Sequence, residues 1–100
     1  MTTPPATIRV TQAHIDAGQP RNCGSCPVAL AVTEACKDVP GFGWAAAELD
    51  WLLLLGGNGE PGLLFKARTP PEAEQFMNRF DSYEDVDPLE FTVTWQAVES

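Results

Sequence analysis

A single histidine, His14, is all the imidazole the chain has, and no serine, cysteine or carboxylate stands at a spacing that makes it a recognisable general base. No other catalytic constellation is visible, so the expected activity is non-enzymatic. Long apolar runs are also missing. The longest uncharged one, Trp51 to Leu55, is far short of the roughly 20 residues that span a bilayer. The first six residues are polar and Pro-rich, without a basic region or an apolar stretch behind them, so no signal peptide is expected and the location expected is cytoplasmic. Positive charge is scarce: 6 Lys and Arg stand against 14 Asp and Glu, a net charge of −8. Residues 1–47 balance to zero, so the excess lies wholly in residues 48–100. Such an excess repels phosphate, which argues against direct binding to nucleic acid or an anionic membrane and suits docking on a basic partner. There are only 3 cysteines, an odd number with one C-x-x-C spacing, which points to reduced thiols rather than a disulfide framework.

What remains is ample for one core: 100 residues, 44% hydrophobic, with 9% aromatic. Residues 1–6 read as a disordered tail and residues 7–100 as one domain. Thr7-Ile8-Arg9-Val10 alternates as a strand with Ile8 and Val10 inward. Thr11 then caps a helical turn that Gly18 ends in the left-handed region. Ser25 or Cys26 caps a second helix with Pro27 in its first turn, and the all-apolar Val28 to Val32 marks that helix as buried. Trp44 to Leu55 fits both templates. Its alanines and leucines favour helix, but Gly41-Phe42-Gly43 is a poor helix start and the segment alternates, so a strand is expected. With Ala47, Leu49, Trp51 and Leu53 facing the core, it forms a hairpin with Leu63 to Arg68 across the Gly56 to Gly62 tip. Thr69-Pro70-Pro71-Glu72 has the form of a capping box, followed by Ala73, Phe76, Met77 and Phe80 on one helical face. Leu89 to Ala97 alternates throughout and reads as one strand. The fold class expected is therefore α+β, a small, mostly antiparallel sheet with two helices packed on one face.

Candidate sites are few. Cys23-Gly24-Ser25-Cys26 has the spacing of half a zinc site, with His14 as a third ligand. Cys36 lies ten residues beyond Cys26, about 15 Å along a helix, and cannot join the same metal. A redox role meets a second obstacle: Pro27 forces the helix to begin after Cys23, outside its dipole. No resident cofactor is expected, and a zinc or thiol module built on His14, Cys23 and Cys26 stands as an alternative. Asp81, Glu84, Asp85, Asp87 and Glu90 form an acidic cluster without the order of a calcium loop, and read as a docking surface for a basic partner. An acidic nucleic-acid mimic is a further alternative, weakened by the bunching of these carboxylates. Finally, two helices cannot cover both sheet faces. Leu52, Leu54 and Leu64 are expected on the far face as an apolar strip for self-association or for docking a host protein.

The elements His14-Ile15-x-x-Gly18, Cys26-Pro27-Val28-Ala29-Leu30-Ala31, Phe76-x-x-x-Phe80-Asp81 and Pro88-x-x-Phe91 resemble those of small uncharacterised proteins of actinobacterial tailed phages and prophages. That resemblance covers about residues 7 to 95 and rests on fold determinants. It implies an accessory protein, located in the bacterial host's cytoplasm, that binds and modulates a host protein; it supplies no catalytic residues.

Overall fold

The computed structural model describes residues 4–57 and 62–98. In chain order the elements are β1 (Thr7–Val10), α1 (Gln12–Ala17), α2 (Pro27–Cys36), β2 (Phe42–Ala47), β3 (Trp51–Gly56), β4 (Leu63–Arg68), α3 (Pro71–Asp81), β5 (Leu89–Thr92) and β6 (Gln96–Ala97). The fold is α+β, as the sequence implies, with three helices and two antiparallel sheets among the described residues. One pairs β1 with β5; the other has the order β2-β3-β4-β6.

Local chemistry explains the early elements. Ile8 and Val10 are fully buried on β1. Thr11 caps α1 in a reciprocal box: its side chain accepts from the His14 N–H, and His14 Nδ1 accepts from the Thr11 N–H at 3.0 Å. Gly18 follows, but at φ −72°, so the left-handed end expected there does not occur. Its role is close approach, since a Cβ would lie 2.5 Å from Cδ of Pro27, the first residue of α2. Cys26 caps α2, accepting from the Ala29 N–H at 3.4 Å. Val28, Ala29, Ala31 and Val32 of α2 are buried in the core.

The segment from Trp44 to Leu55 is extended but is two strands, turned at Glu48-Leu49-Asp50. Thr69 holds that turn from a distance: its Oγ1 donates to the Glu48 carbonyl at 2.8 Å and its N–H to the Asp50 carbonyl at 3.0 Å. The expected capping box at Thr69 is therefore absent. Pro70 is the N-cap residue of α3, and no side chain caps it. The turn also resets the register. Leu52 opposes Ala47 and Ala67, Leu54 opposes Ala45 and Phe65, and this set forms the inner face under the helices. Both leucines are 0% exposed. Facing residues in an antiparallel pair share a side, so the alanines of β2 make room for the leucines of β3.

On α3, Ala73, Phe76 and Met77 are buried as the periodicity requires. Phe80 is half-buried, with its ring 6.4 Å from that of Phe76. The Leu89 to Ala97 alternation keeps Phe91 and Val93 in the core, yet it is not one strand. It serves β1 first and β4 afterwards, changing sheets between Val93 and Trp95. Residues 4–6, part of the tail expected over residues 1–6, are held at this crossing. Val93 N–H donates to Ala6 at 2.9 Å, Trp95 Nε1–H donates to Pro5 at 2.8 Å, and Pro4 is buried. Residues 1–3, and most of the Gly56 to Gly62 tip, lie outside the described residues.

Candidate functional site

The uncovered face of the four-stranded sheet is the most distinctive surface. Register places Trp44 opposite Leu55, Ala46 opposite Leu53, Leu53 opposite Lys66, and Trp51 opposite Arg68, all on the side away from the core. A bulge at Leu54/Leu55 sets Leu63 and Leu64 together against Leu55. Trp51, Leu53, Leu55 and Leu64 are half-buried but belong neither to the core nor to the side chains packed on it. Trp44 is 48% exposed, and Ala46, although almost wholly covered, is likewise outside the core. These side chains shelter one another on a face that no helix of the described fold packs against. At one end the indole of Trp51 carries two cations, Lys66 Nζ at 4.8 Å and Arg68 Cζ at 4.9 Å from the ring centroid.

The expected strip was Leu52, Leu54 and Leu64. Leu64 is on this face; Leu52 and Leu54 are not, because the turn at 48–50 shifts every side chain of β3 to the opposite side from that expected. Their places are taken by Trp51, Leu53 and Leu55, with Lys66 and Arg68 beside them. The signal that locates these residues is the Glu48-Leu49-Asp50 break, which is weak because Glu and Leu are poor turn formers.

The acidic residues stand elsewhere. Asp81 is the last residue of α3 and half-buried; its Oδ1 accepts from the Arg21 N–H at 2.8 Å. Arg21 has φ 59° and places its guanidinium 6.0 Å from the ring of Tyr83, itself at φ 62° and 76% exposed. Glu84, Asp85 and Asp87 are exposed on the loop that follows. Glu90 pairs with Arg9 at 2.9 Å across β5 and β1.

A cleft of about 280 Å³ lies between the α1–α2 loop, the end of α3 and the β2–β3 turn, and is lined by Arg21, Cys23, Cys26, Glu48, Leu49 and Asp81 among others. It brings the two C-x-x-C thiols to one place. Cys26 is buried, and loss of solvent pushes its thiol up from the ordinary value, outweighing the amide hydrogen bonds from Ala29 and Val28. Cys23 is exposed, and its carbonyl accepts from the Ala47 N–H at 2.8 Å. Cys36 sits at the far end of α2, fully buried, with its thiol raised to about 11 by the same loss of solvent.

His14 does not join the cysteines. Its Nδ1 accepts from Thr11, so the ring proton sits on Nε2 and is donated to Glu34 Oε2 at 3.1 Å. Both ring nitrogens are engaged away from Cys23 and Cys26. Among the described residues, no three His, Cys, Asp or Glu side chains stand together as a metal site.

No family model, curated protein or solved structure matches the chain. None of the helices among the described residues is long and apolar enough to cross a membrane.

Proposed function

We propose that the chain is a non-enzymatic protein-binding module that docks through the outer face of its β2-β3-β4 sheet. The resemblance to phage accessory proteins makes a host protein the expected partner. The observation that carries this reading is the apolar face itself: Trp44, Trp51, Leu53, Leu55 and Leu64, adjacent on three strands and outside the core. A covered leucine is worth about 1.5–3 kcal/mol, so a partner seated here recovers stabilisation that the isolated domain forgoes. The exposed carboxylates of Glu84, Asp85 and Asp87 provide long-range orientation toward a basic flank of the same partner. The bonding of His14 and the separation of Cys36 from the cleft leave the thiol-or-zinc alternative with only Cys23 and Cys26.

The test compares wild type with a Leu53→Lys/Leu55→Lys variant by light scattering and by affinity capture from host lysate. Circular dichroism confirms that both are folded. A folded variant that loses a partner, or a self-association, held by wild type supports the reading. A wild type that is monomeric and retains no protein, or a variant that retains the same protein, refutes it.

A further inference from the structure

The outer face is chemically lopsided, and the imbalance bears on what it receives. Residues 48–100 contain three cations, Lys66, Arg68 and Arg79, among eleven carboxylates. Two of the three flank the same indole on the same sheet face. Among the described residues, neither Lys66 nor Arg68 forms an ion pair. On the β3 side the neighbouring positions hold apolar side chains, Trp51, Leu53 and Leu55, while on the other side Gln96 of β6 lies opposite Lys66. A cation seated over a ring is held in place by the ring quadrupole, and its N–H donors remain available to an incoming acceptor. The order is thus established before a ligand arrives, which lowers the entropy lost on binding. Apolar neighbours that exclude water strengthen any charge pairing made there.

Resting on the docking reading above, we infer that the occupant of this face is a protein segment that presents carboxylates between apolar side chains. The carboxylates meet Lys66 and Arg68, and the apolar side chains cover Leu53 and Leu55. A carboxylate and a guanidinium pair through two parallel hydrogen bonds, which fixes the register of the segment as well as its affinity. A protein segment fits better than a nucleic-acid strand. Two cations balance two charges, whereas every further phosphate along a strand meets a chain of net charge −8.

The probes are three: a short fluorescent peptide alternating leucine with glutamate, the same peptide with lysine for glutamate, and a ten-residue oligothymidylate. Each is titrated at physiological salt, with the assigned indole N–H resonance of Trp51 as the readout, so that binding at the acidic loop is not mistaken for binding here. The glutamate peptide is expected to shift Trp51 saturably, at least tenfold more tightly than either other probe. A Lys66→Glu/Arg68→Glu variant is expected to abolish that preference or turn it toward the lysine peptide. Equal or tighter effects of the lysine peptide or the oligonucleotide on Trp51 overturn the inference. So does a glutamate preference that survives the charge reversal, or the absence of any saturable shift by the glutamate peptide. Loss of partner binding in Leu53→Lys/Leu55→Lys, but not in Lys66→Glu/Arg68→Glu, retains the docking face and refutes only the chemistry assigned to its occupant.

Discussion

Leu54 and Leu53 are neighbours in sequence, and the structure assigns them opposite roles, so substituting them in parallel tests the register directly. Leu54 is 0% exposed, with Ala45 and Phe65 as its cross-strand partners in the core. Leu54→Ala removes three buried carbons from a site walled by backbone on both flanks, where collapse is limited, and should cost about 3–5 kcal/mol. Leu53 lies half-buried on the outer face, and Leu53→Ala should cost about 1 kcal/mol, a fraction of full leucine burial. Lysine sharpens the contrast. At Leu52 and Leu54 it places unpaired charges in the core, and their cost exceeds the about 5–15 kcal/mol that holds a domain together. At Leu53 and Leu55 the ammonium groups reach solvent along their own stems. Urea titration followed by tryptophan fluorescence should give a cooperative transition for Leu53→Lys/Leu55→Lys and none for Leu52→Lys/Leu54→Lys. An inner variant with the wild-type midpoint would mean that β3 presents the opposite face, and the docking argument would fall with it.

Three other outcomes are expected. Gly18→Ala should destabilise by about 1–3 kcal/mol, because the new methyl meets the rigid Pro27 ring at 2.5 Å while φ −72° itself imposes no strain; a neutral midpoint in urea refutes the clash. Thr69→Val should cost about 1 kcal/mol through the lost bond to Glu48 without changing α3, whereas a drop in helical circular dichroism would restore the capping role. The Cys36 thiol holds its proton more tightly in the folded state, so its contribution is complete below pH 9.0 and declines as pH rises toward about 11. Over that window it removes up to about 3 kcal/mol, and Cys36→Ala should show a shallower alkaline decline than wild type. Parallel declines in the two proteins would locate the loss elsewhere.

How far the sequence discloses this molecule depends on whether the deciding interaction is local. The strand at Ile8 and Val10, the cap at Thr11, the start of α2 at Cys26-Pro27 and the face of α3 each arise from chemistry within one or two turns, and each is where the pattern puts it. The β2–β3 turn is different. Its residues are weak turn formers, and Thr69, some twenty positions away, fastens it; the same threonine then misleads as a helix cap. The sheet change after Thr92 also escapes periodicity, because alternation records only inward and outward, not which sheet receives the strand. The consequence for function is specific. That two helices leave a sheet face bare follows from counting elements. Which leucines occupy it depends on a one-residue register, and Lys66 and Arg68 gain meaning only once Trp51 is placed between them.

The exchange made by the last strand-forming stretch governs how the protein comes into being. β2, β3 and β4 are successive neighbours, joined by short reversals, and can assemble as soon as they are synthesised. β1 has no partner until β5 appears: Thr7 waits for Thr92 and Val10 for Leu89. Everything from Thr7 to Thr92 must therefore leave the ribosome before Ile8 and Val10 can be enclosed. Pairings this distant carry a large loop-closure cost and slow folding. During that interval two β-branched apolar side chains and an open strand edge of β1 stay exposed. A variant lacking the residues after Pro88 would keep that state permanently, with a meander that can form and a first strand that has nothing to pair with. Such a species is prone to edge-to-edge aggregation.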